Sequence, residues 1–172
     1  MKLNALIKKS KQNAGKRLAK NIDIIESVLI VWDATQPKTE IEELKTFGHE
    51  FRQKGKNITF LAYHPIKKLA ADMQPNDLYR LCCKSDFSYW QTPKSNDLKK
   101  ILEEPYDLFI NGCLQEHKTM HTLAAFTKSR FRIGPYITPN DENFYELMVQ
   151  PNGADPCENY LIEIGKYLKK IH

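Results

Sequence analysis

Residues 106–136 read YDLFINGCLQEHKTMHTLAAFTKSRFRIGPY (Tyr106–Tyr136), and their order decides the fold. An apolar run, Tyr106–Ile110, stops at the polar pair Asn111-Gly112. A helix-like segment follows over about Gln115–Ser129, with Met120, Leu123, Ala124 and Thr127 on its inward side. A second short run, Phe131–Gly134, then returns. Strand, helix and strand in that order form a βαβ unit, which builds parallel sheets whose ligands sit beyond the strands' carboxyl ends.

The flanking sequence extends the pattern. Ser27–Trp32 (SVLIVW) is continuous, apolar and rich in β-branched residues, as a central parallel strand buried on both faces requires. Pro37 suits a first helical turn, and Glu40, Glu42 and Glu43 suit the positive end of the helix that follows. Ile41, Leu44, Phe47 and Phe51 give that helix its apolar stripe, and Gly55 ends it. Asn57–Tyr63 reads as a second strand, Leu78–Cys83 as a short one, and Tyr145–Val149 as the last. Further helices are expected over about 95–104 and from Asp155-Pro156 onward, the latter with a capping-box analogue at Asp155–Glu158. The alternation predicts an α/β fold: a three-layer sandwich on a mainly parallel, Rossmann-like sheet with strand order 3-2-1-4-5.

The chain has 172 residues, enough for one domain that buries roughly 70% of its unfolded surface. Its 41% hydrophobic and 27% charged residues exclude a disordered chain. The net charge of +5 is unevenly placed. Residues 1–20 hold seven Lys/Arg and no acid, so the remainder is nearly neutral. The expected organisation is a basic arm or helix over 1–22 and a single α/β domain over 23–172. Four cysteines without framework spacing suit reduced thiols, and no apolar run is long enough to cross a bilayer. A cytoplasmic chain is expected, with an arm able to lie on the inner membrane surface.

Turns after strands supply the candidate ligand-binding residues: Asp33, Thr35, His64, Asn111 and Cys113. The competing reading makes Asp33 and Thr35 helix caps and Asn111-Gly112 a plain turn. Neither G-x-G-x-x-G nor G-x-x-x-x-G-K-[ST] occurs, so dinucleotide and P-loop chemistry are not expected and no cofactor is called for. Cys113, His117 and His121 recur every four residues and would share one helix face. Lys118 stands where a zincin needs Glu, and no second cluster completes a metal site or a catalytic triad. The arm offers Lys8, Lys9, Lys11, Lys16 and Arg17 to a protein partner or an anionic membrane. Nucleic acid is not expected, because the body continues no basic stripe.

Over nearly its full length the chain resembles an uncharacterised family of short proteins from Bacteroidetes-type bacteria, a domain of unknown function. The shared features are the basic leader, Asp33-Ala34-Thr35 after the first strand, the strand after Gly55-Lys56, YDLFI, SRFRIGPY (Ser129–Tyr136) and YELMV (Tyr145–Val149). The resemblance implies fold and context, not an activity. A shorter stretch, YDLFIN through FRIG, is similar to the N-terminal Rossmann-like domain of lipopolysaccharide heptosyltransferases. That similarity implies a nucleotide-sugar or other small-metabolite enzyme as the alternative to a binding or interaction module. Asn111 stands where that family has Asp, and its Gly-Asp segment is missing after Trp32, so no catalytic residue carries over.

Overall fold

The computed structural model describes residues 3–13, 23–70, 72–73, 75–76 and 78–170. In chain order the elements are α1 (Leu3–Asn13), β1 (Ser27–Asp33), α2 (Lys38–Gln53), β2 (Asn57–His64), β3 (Tyr79–Cys83) and α3 (Asn96–Glu103). They continue with β4 (Leu108–Asn111), α4 (Lys118–Phe126), β5 (Phe131–Pro135), β6 (Leu147–Val149) and α5 (Pro156–Lys170). The strands form one sheet in the order β3-β2-β1-β4-β5-β6, and every neighbouring pair is parallel. The expected order 3-2-1-4-5 is present, with β6 added beyond β5.

Helices cover both faces, which makes the α/β sandwich Rossmann-like. Strand alternation divides the core in two. Leu29 and Val31 of β1 join Leu61, Phe109, Met120 and Leu123 on the α3/α4 face. Val28, Ile30 and Trp32 join Leu44, Phe60, Tyr160 and Ile164 on the α2/α5 face. Local signals hold the helices where the sequence sets them. Ser95 Oγ accepts from Leu98 N at the start of α3, and Asp155 Oδ1 from Glu158 N at the start of α5. Gly55, at φ +77°, turns the chain out of α2 into β2, a conformation that glycine adopts without steric cost.

One detail differs from the expectation and two add to it. First, α4 is shorter than the stripe suggested. His117 before it and Thr127 after it have extended backbones. Second, β6 lies parallel to β5 without a crossover α-helix; a 3-10 turn, Pro139–Asn143, makes the crossing. Third, the described part of the basic leader is a packed helix. Leu6 and Ser10 of α1 are buried against α4, and Ser10 Oγ donates to Asn143 O at 2.8 Å. Arg132 Nη1 donates to Ser10 Oγ at 2.9 Å, and Lys9 Nζ sits 5.4 Å over the Phe126 ring. Residues 14–22, with Lys16 and Arg17, lie outside the described residues.

Candidate functional site

Strand order reverses between β1 and β4, so the switch point of the sheet lies beyond Asp33 and Asn111. Register places Asp33 beside Tyr63, and Tyr63 beside Cys82. Asp33 follows Leu29 and Val31 by the same two-residue step, so it shares the α3/α4 face with Tyr63 and Cys82. The result is a transverse row of three ionisable side chains at the carboxyl edge.

His117 closes over this row from the loop after β4. Its Nε2 lies 2.8 Å from Asp33 Oδ2, and its ring meets Tyr63 edge-on with centroids 5.6 Å apart. The other Asp33 oxygen accepts from Thr35 N at 2.7 Å and from the Thr35 hydroxyl. Asp33 is buried, with Oδ1 taken by two donors from Thr35 and Oδ2 facing His117, so its carboxylate serves to position that ring. His117 Nδ1 is different. It is buried and has no hydrogen-bond partner. Nε2 faces the carboxylate, so Nδ1 is the ring nitrogen without a partner; in the tautomer that carries its proton on Nε2, Nδ1 is an acceptor.

The nominated residues therefore separate. Asp33, Thr35 and Cys113 come together at this edge. Cys113 is buried in the α3/α4 core, near enough to Asp33 to feel its charge. Burial first, then the Asp33 and Glu40 charges, push its thiol up to about 11, and burial pushes Cys82 up as well. Neither thiol is a thiolate at neutral pH. His64 is one residue past Tyr63, so alternation turns it to the opposite face of β2. Asn111 is a structural clamp. Its Nδ2 donates to the Tyr145 hydroxyl, its Oδ1 accepts from Cys113 N, and its carbonyl accepts from the Tyr160 hydroxyl.

The histidines spaced by four do not act as a pair. His117 precedes α4 and turns to Asp33, whereas His121 lies inside α4 and binds Asp141 at 2.7 Å. Among the described residues, no three His, Cys, Asp or Glu side chains are grouped to hold a metal ion.

Sequence reasoning missed Gln36 and the cavity beside it. Gln36 Oε1 accepts from Asp33 N, while its Nε2 donates to Glu40 and to Gly112 O. Gln36, Glu40, Leu114, Gln115, Tyr136 and Gln150 line a cavity of about 420 Å³; Leu114 and Gln115 belong to the loop that carries His117, which itself is not on the lining. The available signal was position: Gln36 follows the first strand by three residues, as Gln115 follows β4 by four.

One family model matches this chain, over residues 1–171, leader and sheet edge included. The chain belongs to a family of unknown function, DUF6913. No curated protein and no solved structure matches it. The DUF6913 match therefore carries no activity to the His117 edge, and the chemistry there has to be argued from this chain's own residues.

Proposed function

We propose that the chain is a small-molecule-binding α/β domain whose ligand is a neutral, hydroxyl-rich compound of the sugar or polyol class. The observation that carries this is the unpartnered, buried Nδ1 of His117, held in place by Asp33. A buried acceptor without a donor costs stability, and a ligand hydroxyl would remove that cost. The neighbouring cavity supports the chemistry. The Gln115 and Gln150 amides, the Glu40 carboxylate and the Tyr136 ring stand around about 420 Å³, a volume within the usual range for small-molecule sites, while Gln36 is committed to Asp33, Glu40 and Gly112 and shapes the wall. Amides and carboxylates bond hydroxyl groups, and an aromatic face covers a sugar's apolar side.

A nucleotide-sugar transferase reading draws no support from Asn111, because both ends of its amide are occupied. A general base does fit the same dyad. A hydroxyl that reaches Nδ1 is placed to give up its proton, so turnover of a bound compound would extend binding to catalysis.

The test is thermal unfolding of the full chain against a panel of monosaccharides, polyols, nucleosides and hydroxy acids. A ligand that binds only the folded chain raises Tm. The expected result is a shift with a hydroxyl-rich compound that is lost in His117→Ala and reduced in Gln115→Ala. No shift with any compound, or shifts indifferent to both substitutions, would overturn the proposal.

A further inference from the structure

Ser88–Thr92 forms a tight turn with two large aromatic side chains at its tip. Tyr89 is 90% exposed and Trp90 61% exposed, and their rings meet edge-on with centroids 5.3 Å apart. The turn is firmly held. Ser88 N donates to Thr92 O, Gln91 N donates to Ser88 O, and the Ser88 and Thr92 hydroxyls are 2.6 Å apart. Phe87 and Pro93 bridge its base.

Gln91, next to that tip, shares a cavity with Leu3 and Leu6 of α1 and with Glu116 and Lys118 at the start of α4. The aromatic tip and the leader helix are therefore neighbours. Leu3 adds a third exposed apolar side chain, at 44%. About 12 Å of helix separates Leu3 from Lys11 at the usual rise per residue. Lys8 and Lys11 lie with Ile7 along the outer groove of α1. Glu116 is the acid on the shared cavity, and Lys118 beside it balances the charge.

We propose that this surface docks the chain on an anionic lipid bilayer, with Tyr89 and Trp90 entering the headgroup region and the α1 lysines facing the lipid phosphates. Trp and Tyr settle at the boundary between headgroups and acyl chains, where an amphipathic ring meets both media. Clustered cations supply the electrostatic half, and stable reversible docking needs both signals. Seven Lys/Arg without an acid in residues 1–20 fit a negatively charged surface.

The chain has two tryptophans, and Trp32 is buried, so emission changes on docking report Trp90. The experiment mixes the full chain with vesicles of phosphatidylcholine, with and without phosphatidylglycerol, and reads cosedimentation and tryptophan emission. The expected result is binding to the anionic vesicles with a blue shift. Tyr89→Ala with Trp90→Ala should abolish binding while leaving the thermal unfolding midpoint unchanged. Lys8→Gln with Lys11→Gln should weaken it about twenty-five-fold, since each cation at an anionic surface is worth about fivefold. Equal partition onto neutral vesicles, or binding without a blue shift, would overturn the proposal. Loss of a concentration-dependent oligomer in the double aromatic variant, without vesicle binding, would reassign the tip to protein contact and overturn it too.

Discussion

Arg132 and Glu146 form a bidentate ion pair inside the protein. Nη2 lies 2.7 Å from Oε1 and Nε 3.1 Å from Oε2, and both side chains are buried. Glu146 Oε2 also accepts from Arg132 N. The remaining guanidinium nitrogen, Nη1, donates to Ser10 Oγ and to Ala124 O. One side chain thus joins β5, the residue before β6, α4 and the leader helix.

Removing one member of such a pair strands the other charge without water. Arg132→Met keeps the volume and deletes the cation, so it should cost about 3–5 kcal/mol. Ser10→Ala deletes two hydrogen bonds, one from Arg132 and one to Asn143 O, but no charge, and should cost about 2 kcal/mol. Urea unfolding of both variants checks the ranking. Near-equal losses would mean that Arg132 acts by packing, not by charge.

Gly134 is a close-approach glycine. A Cβ there would lie 2.5 Å from the Tyr145 ring, which is buried and tied to Asn111. The ring cannot swing away without breaking that bond. Gly134→Ala should therefore destabilise by about 1–3 kcal/mol, with the midpoint of chemical unfolding as the readout. Gly55→Ala meets no neighbour and is strained only by its positive φ, so its loss should be smaller.

The thiols give a pH prediction with a definite sign. Burial raises Cys113 from its ordinary value near 9 to about 11, so the native chain keeps this proton where the unfolded chain loses it. The stability that this group contributes is complete below pH 9 and declines between pH 9 and 11, by about 1.4 kcal/mol per unit. Cys113→Ala should flatten that part of the alkaline decline in urea melts. At pH 8 the native thiol should also hold about a hundredfold less thiolate than an unfolded one. All four cysteines are free and buried, so a thiol-reactive dye should label the native chain far more slowly than the chain in urea. Fast labelling of a native cysteine would contradict the placement.

The parallel sheet was legible because its central strands are continuous β-branched runs and its helices carry clear stripes. The docking of α1 was not. Its decisive contact is Ser10 with Arg132, a polar pair that leaves no trace in a hydrophobic pattern, on a helix whose charge pointed outward to a partner or a membrane. At the site, Asp33 and Asn111 earned equal standing because each ends a strand. What separates them is the direction of the side chain and a distant partner: Asp33 meets His117, whereas Asn111 meets Tyr145. His117 was visible only through its spacing from Cys113 and His121, and that spacing pointed to a shared helix face. The loop before α4 keeps His117 off that face.

Asn111 also tests why this strand end carries an amide and not a carboxylate. The residue is buried, and its amide nitrogen donates to the Tyr145 hydroxyl while its carbonyl takes Cys113 N. In Asn111→Asp one oxygen keeps the Cys113 bond and the other faces the Tyr145 oxygen, which must turn its proton inward. Burial raises the Tyr145 phenol, so that proton is available. The new carboxylate still loses its water, and burial should raise its folded pKa above the unfolded value near 4. A carboxyl raised in this way destabilises the folded chain at pH 7 and stops doing so as pH falls below the unfolded value. Asn111→Asp should thus lose about 1–3 kcal/mol relative to the wild-type chain at pH 7, and less at pH 4.5. Paired urea melts at the two pH values read the difference directly. An equal loss at both would mean that geometry, not charge, requires the amide.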